Sequence, residues 1–276
     1  MTALEPHVLN RSFTWSAPPG PYRAISDHQA RAYDEVGAFV LEGAFDQPTL
    51  DSIKAEIDPV EAQVEAELRQ LEGGKLFIAR ADAITFTTHL VVRSAVLRAL
   101  VRSPPLTDLC ADLIGPDVRL YWDQAVYKKH DADATFPWHQ DNGYAFVEPQ
   151  QYLTCWIALT DATEDNGCPQ VLPGIHRGGT VAHHLTDAGY VCADQPTGAI
   201  TVPARAGDIV VFSSLTPHCT GPNLTNGVRK AYIVQYAPEG AAVVTRDAGG
   251  SITRTPAVDP RRQFPVLAGG EPVSPD

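Results

Sequence analysis

The segment Phe136-Pro137-Trp138-His139-Gln140-Asp141 carries an imidazole and a carboxylate two positions apart. On an extended strand residues i and i+2 face the same side, so His139 and Asp141 project together while Gln140 points away. One histidine and one carboxylate are two of the three protein ligands of a facial metal triad; a second histidine must come from elsewhere. Of the nine histidines, His7 and His28 fall in an N-terminal arm or first helix. His89 precedes the strand-rich region, and His130 sits in the polar stretch 128–133. His183 and His184 are adjacent and would point to opposite faces of a strand. His218 follows the apolar run 208–212 and opens a turn-rich segment, where a barrel strand would deliver it to the mouth. It is the best placed of the nine.

Arg229 adds to this pattern. It lies beyond the Asn226-Gly227 turn, a hairpin signal, so the strands of His218 and Arg229 are expected to pair. Eleven positions on from His218, a guanidinium would lie near the metal yet off it, and its fork suits a distal carboxylate. Thr220 would face the same side as His218 and could donate its hydroxyl to that carboxylate. Metal ligands with such an arginine fit a co-substrate whose second carboxylate lies away from the metal, namely 2-oxoglutarate. Other features read as structural. His176 in the Pro173-Gly174-Ile175-His176 turn braces a loop, Lys128-Lys129-His130 forms a solvated turn, and Cys219 is a buried thiol pointing away from the site.

These residues need a scaffold. A short helix is expected from about Asp27, its possible N-cap, to Gly37, followed by a strand at Ala38–Leu41. A long helix from Asp46 to Glu72 must be kinked or divided by Pro59. Two short helices follow at Val96–Val101 and Leu106–Ile114, closed by Gly115-Pro116. Beyond Pro116 come short apolar and β-branched runs at Val118–Tyr127, Leu153–Leu159, Gly198–Val202, Ile209–Phe212 and Ala231–Tyr236, separated by turn residues. The layout is an irregular arm (1–25) and one domain (26–246), helical to about 116 with a β core over 117–240. Residues 247–276, rich in Pro, Gly and charge, are expected to form a flexible tail.

The chain has 276 residues, 44% hydrophobic and 20% charged, with 21 basic against 33 acidic residues and a net charge of −12. That balance argues against nucleic-acid or acidic-membrane partners. No run approaches the roughly 18 apolar residues of a membrane helix. The five cysteines form no CxxC pair, and the first 25 residues carry Glu5, Arg11 and a Pro-Gly cluster where an export signal would be apolar. A cytoplasmic location with reduced thiols is expected. Oligomeric state is not legible.

Taken in order, Trp138-His139-Gln140-Asp141, Leu153-Thr154-Cys155-Trp156-Ile157-Ala158-Leu159, Asp165-Asn166-Gly167-Cys168, Pro173-Gly174-Ile175-His176, Ala206-Gly207-Asp208, His218 and Arg229 resemble the phytanoyl-CoA dioxygenase family of Fe(II)/2-oxoglutarate oxygenases. The resemblance covers roughly Val118 to Pro238. It implies a double-stranded β-helix, a jelly-roll of cupin type, mainly β with packed helices. It implies iron on His139, Asp141 and His218, and the distal carboxylate of 2-oxoglutarate on Arg229 and Thr220. Trp156 and Gln124 would be further pocket residues, and Tyr127 and Lys128 could also approach the co-substrate. Thr220 stands where serine is common, and Ile175 interrupts a Pro-Gly-Ser-His pattern in a structural loop.

The implied activity is hydroxylation of an unactivated C–H of a small molecule, using O2 and releasing succinate and CO2. Desaturation, epimerisation and ring closure are alternatives within the class, as is acyl-CoA hydroxylation. The net charge speaks against a CoA-bearing polyanion and favours a small molecule of secondary metabolism. The stretch from Lys75 to His89 and the loop from Asn142 to Gln151 would face the substrate. A non-catalytic cupin-like metal-binding or sensor protein is the competing reading, but it gives no reason for Arg229.

Overall fold

Ser26, not Asp27, caps α1 (Asp27–Glu35) in this computed structural model, which describes residues 4–274. The Ser26 hydroxyl accepts the Gln29 N–H and the Gln29 side chain accepts from the Ser26 N–H, a reciprocal capping box. After β1 (Ala38–Leu41), Asp46 caps α2 (Gln47–Leu68), with Pro48 in the first turn where its missing N–H costs nothing. Of the two outcomes expected at Pro59, division does not occur: α2 runs through it as one helix. It lies on the exposed face, where the Ala55 carbonyl that it leaves unpaired is open to water.

Three strands not foreseen follow: β2 (Lys75–Leu76), β3 (Ala79–Arg80) and β4 (Ile84–Thr88). Then come α3 (Ala95–Leu100) and α4 (Leu106–Leu113). The β-rich part begins with β5 (Val118–Lys128), β6 (Phe136–His139), β7 (Val147–Glu148), β8 (Leu153–Ala158) and β9 (Pro169–Val171). The hairpin β10 (His184–Thr186) and β11 (Gly189–Val191) precedes β12 (Ile200–Thr201), β13 (Ile209–Ser213), β14 (His218–Thr220) and β15 (Arg229–Pro238).

Two antiparallel sheets face each other. The major sheet runs β1-β13-β8-β15-β5-β4-β3-β2 and the minor one β12-β9-β14-β6. Strand alternation sorts the major sheet's side chains into two layers. Leu153, Cys155 and Ile157 of β8, with Tyr232, Val234 and Tyr236 of β15, pack against Leu50, Ile53 and Ile57 of α2 and against α3 and α4. The intervening residues, Trp156, Ala158, Ala231 and Ile233, turn towards Cys168, Val171 and Val202 of the minor-sheet side. Each α2 side chain so buried contributes about 1.5–3 kcal/mol. The result is the double-stranded β-helix with helices on one outer face. No helix among the described residues is long and apolar enough to cross a membrane.

The structure corrects two expectations. The strands of His218 and Arg229 are not a hairpin: β14 pairs with β6 and β9, whereas β15 pairs with β5 and β8. The segment 221–228 instead crosses between the sheets, tied down by Asn223, whose amide donates to the Lys128 and Gly227 carbonyls. Nor is the C-terminal stretch a loose tail. β16 (Ala242–Arg246) pairs along its length with β17 (Ile252–Pro256), and β18 (Pro265–Ala268) pairs with β5 and with β19 (Glu271–Pro272). Phe264, Val266 and Leu267 are buried, and the guanidinium of Arg98 stands 4.0 Å over the Phe264 ring. Pro, Gly and charge hid a short apolar run that covers the helical side of β5. Residues 1–3 and 275–276, at the ends of the expected arm and tail, lie outside the described residues.

One buried group sets a pH dependence. Asp123 of β5 faces the helical layer and accepts the Val91 N–H and the Tyr232 hydroxyl through one oxygen. Its other oxygen has no partner among the described residues, and burial pushes the carboxyl up to about 6. The unfolded chain therefore releases this proton at lower pH than the folded one, and stability is lost as pH rises from about 4 to 6. Asp123→Asn should remove that slope and gain about 2–3 kcal/mol at pH 7, less any hydrogen bond lost, read as urea midpoints across pH 4–7.5. Parallel profiles for the two proteins would contradict the assignment.

Candidate metal centre

His139 ends β6, and Gln140 continues the extended backbone (φ −103°, ψ 144°) before a single tight turn over Asp141–Gly143. The alternation of a strand thus persists one residue past its end, and His139 and Asp141 reach the same cavity. Gln140 is the clamp. Its buried amide donates to the carbonyls of Gly179 and Leu215 and accepts the Val181 N–H, while its own N–H donates to His183 Nε2. His183 is thereby spent as a brace.

His218 stands directly opposite His139 in the β14–β6 pair, with ring centroids 4.1 Å apart. Each imidazole donates Nδ1–H to the carbonyl two residues earlier, His139 to Pro137 at 2.8 Å and His218 to Thr216 at 2.9 Å. A carbonyl only accepts, so the proton sits on Nδ1 and the Nε2 lone pair is presented to the cavity. Burial, with the neighbouring His218, holds His139 well below the usual imidazole range and therefore neutral. The Asp141 Oδ1 lies 3.9 Å from His139 Nε2 and 3.8 Å from His218 Nε2. Its Oδ2 accepts the Thr154 hydroxyl at 2.6 Å, which leaves Oδ1 for the centre. These three donor atoms fall within 4.8 Å of one another and form the one such cluster among the described residues.

A glycine makes the His218 side of this arrangement possible. Gly37, at φ +88°, packs so closely that a Cβ would lie 2.4 Å from Thr216 Oγ1 and 2.6 Å from the His176 ring. Its carbonyl accepts the Thr216 hydroxyl, fixing the residue whose own carbonyl orients His218. His176 is the loop brace that was expected, bonded to the Asp34 carbonyl and edge-on to Trp15.

Arg229 enters from the opposite wall. It is 1% exposed, and its Nη1 donates to the Gly167 carbonyl at 3.0 Å while its Nε is buried without a partner. The guanidinium carbon lies 5.2 Å from the Trp156 ring centroid. Burial lowers its pKa to about 10, so it stays charged at neutral pH, and no carboxylate pairs with it among the described residues. All seven residues singled out in the sequence (Gln124, His139, Asp141, Trp156, His218, Thr220 and Arg229) line one small cavity. Thr154, Phe212 and Ile233 line it too and were missed, although alternation along β8 places Thr154 beside Trp156.

Two sequence suggestions fail. Tyr127 faces the helical layer, where its hydroxyl donates to Asp58, because it is odd-numbered on a strand whose even positions face the cavity. Lys128 is fully buried, not in a solvated turn, and donates to the carbonyls of Ala134, Thr220 and Gly221. Three acceptors use its three donors, so it fixes the Thr220 backbone and has none left for a co-substrate. Cys219 is buried beside it, and burial pushes its thiol up to about 12.

The donor set has a direct consequence. His139→Ala or His218→Ala should abolish tight binding of Co(II) or Fe(II), and Thr154→Val should weaken it about tenfold by freeing the Asp141 carboxylate to rotate. Chelator competition reads all three. Wild-type affinity in both histidine variants would dismiss the cluster as a metal centre.

Known proteins resemble this chain in sequence and in fold. The family model for phytanoyl-CoA dioxygenase matches residues 33–231. The ectoine dioxygenase of Bordetella bronchiseptica is 27% identical over 245 residues, covering 77% of this chain and 75% of that protein. A probable phytanoyl-CoA dioxygenase of Caenorhabditis elegans is 27% identical over 236 residues, with the same coverage of each. Among solved structures, the non-heme alpha ketoglutarate dependent carbocyclase SnoK from nogalamycin biosynthesis superposes with a TM-score of 0.66 at 23% identity, over 94% of this chain and 98% of that one. EvdO2 from Micromonospora carbonacea var. aurantiaca, complexed with 2-oxoglutarate, gives 0.62 at 24% identity, over 87% and 97%. At such identities the structures speak for the fold, and the family model for the rest: the chain belongs to the phytanoyl-CoA dioxygenase family and is a non-haem oxygenase that uses Fe(II), 2-oxoglutarate and O2.

Proposed function

We propose that His139, Asp141 and His218 hold the iron and that Arg229, with Thr220, receives the distal carboxylate of 2-oxoglutarate. The observation that carries this reading is the unpartnered Nε of Arg229, a buried donor on a buried cation within the same cavity as the triad. Leaving such a donor unsatisfied costs about 1–3 kcal/mol or more, and a carboxylate would restore it. The bound iron supplies the activation of O2 that couples conversion of 2-oxoglutarate to succinate and CO2 with oxidation of the substrate.

The chain's own residues do the positioning. The two imidazoles, each held through Nδ1–H on a backbone carbonyl, aim their Nε2 atoms at the cavity without a reorganisation step. Asp141 brings the triad's negative charge, and Thr154 keeps one of its oxygens turned inward. Trp156 and Gln124 flank the co-substrate and, with Phe212 and Ile233, keep water from it. Because a carboxylate completes the donor set, we assign hydroxylation of an unactivated C–H of a small molecule, in secondary metabolism. The helical part and the β core serve as one domain in this work. Five free, buried cysteines fit a cytoplasmic location.

Titrating 2-oxoglutarate into the anaerobic Fe(II) protein, followed by its metal-to-ligand charge-transfer band, tests the assignment. Arg229→Ala should cost about 2–5 kcal/mol in co-substrate affinity while iron binding persists. Arg229→Lys should recover only part, since it keeps the charge but loses the fork. Unchanged affinity in Arg229→Ala would mean that another cation holds the carboxylate.

A further inference from the structure

A second, larger cavity of about 270 Å³ opens beyond the triad and shares His139, Asp141 and Gln124 with the first. Phenylalanine, tyrosine and tryptophan rings make half of its wall: Phe86, Tyr121, Trp122, Phe136, Tyr144 and Tyr152. Both stretches expected on the substrate side contribute, Ile78 and Phe86 from one and Tyr144 and Ala145 from the other. The rings are held by one another. Phe136 lies 5.6 Å from Phe86 and is nearly parallel to Tyr144, at 19° and 6.3 Å between centroids, while Tyr121 and Tyr152 sit 5.3 Å apart. Tyr144 meets His139 edge-on at 5.3 Å, which ties this wall to the metal side.

Charge in the chamber is as telling as shape. No lysine or arginine lines it, and its one formal charge is Asp141 of the triad. Lys75, on the hairpin beside Ile78, is engaged with the Asp187 carbonyl, and Arg262 with Asp259. A phosphate-bearing ligand would be desolvated here with no cation to meet it. The polar groups on offer are neutral: the amides of Gln124 and Gln235, and the tyrosine hydroxyls. One of these is unspent. The Tyr144 hydroxyl is buried with no acceptor for its proton among the described residues, and the group that approaches it, the Tyr190 N–H, is a donor. The phenol proton therefore has no acceptor. The oxygen lies over Gly189, where the Cβ of any other residue would come within 2.9 Å of it.

We infer that the chamber takes an uncharged molecule built on flat fused rings, with a carbonyl or similar acceptor oxygen that receives the Tyr144 hydroxyl. This rests on the reading of the adjoining centre as the oxygenase site. Offset and edge-on contacts with the ring wall would hold the substrate's faces and edges. The Tyr144 hydrogen bond would set which edge faces His139 and Asp141, making Tyr144 a specificity-determining residue.

The test uses the full chain, metal-free and then loaded, with Trp122 in the wall as a fluorescent reporter. The probes are 1-tetralone, a neutral fused-ring ketone; naphthalene-1-sulfonate, similar rings with a charge; and palmitoyl-CoA. We expect 1-tetralone to quench the tryptophan emission and to bind at least tenfold more tightly than either anion. Tyr144→Phe should weaken 1-tetralone about tenfold while naphthalene itself binds as in the wild type. Equal or tighter binding of the sulfonate or of palmitoyl-CoA would overturn the inference, as would a Tyr144→Phe protein that binds 1-tetralone normally. Because quenching needs no iron, loss of the charge-transfer band in the wild type would count against the oxygenase site and not against the ring-binding chamber.

Discussion

The pairing of β14 with β6 in a register that sets His218 across from His139 is the constraint on which the rest depends. Directly opposed residues on antiparallel strands bring their side chains to the same face at close range. Two imidazoles so placed would repel each other if protonated, and burial keeps His139 neutral. The carbonyls of Pro137 and Thr216 then choose the tautomer that leaves both Nε2 atoms free. Asp141 joins only because Gln140 stays extended, and Gln140 stays extended because three backbone groups clamp its side chain. The donor atoms are thus fixed by backbone geometry two removes away from them.

The opposite wall carries the complementary cost. Arg229 is buried, charged and incompletely bonded, a state that folding alone does not favour. Its neighbourhood is built to hold it there. Gly167, at φ +78° and packed so that a Cβ would lie 2.3 Å from the Gly221 carbonyl, brings its own carbonyl to Arg229. Lys128, opposite Arg229 in the β5–β15 pair, donates to the Thr220 and Gly221 carbonyls and so fixes the loop beneath the site. The buried amino group of Lys128 is structural, and the guanidinium of Arg229 is left open. Beyond them the lining turns from charged to aromatic, so the two cavities that share the triad have walls of different chemistry.

Much of this was legible because strand alternation is a strict rule. The period of two that joined His139 to Asp141 also places Gln124, Trp156 and Arg229 on one surface, and applied to β5 it would have excluded Tyr127. What the sequence misled on were features decided by tertiary pairing. The Asn226-Gly227 turn looks like a hairpin, yet Asn223 ties its segment into a crossing between sheets. Lys128-Lys129-His130 looks solvated, yet three carbonyls from two other loops converge on Lys128. The stretch after Asp247 is polar on average, and its few apolar residues matter only because β5 has an edge for them to cover. Thr154 and Tyr144 carry no motif; their importance lies in which single atom each faces.

The most direct measurement of the central claim is a crystal structure of the Fe(II)/2-oxoglutarate complex grown without oxygen. The account predicts iron bound by His139 Nε2, His218 Nε2 and Asp141, with the distal carboxylate of 2-oxoglutarate on the Arg229 guanidinium and its Nε now paired. Iron held by any other set of side chains, or a co-substrate whose distal carboxylate avoids Arg229, would contradict it.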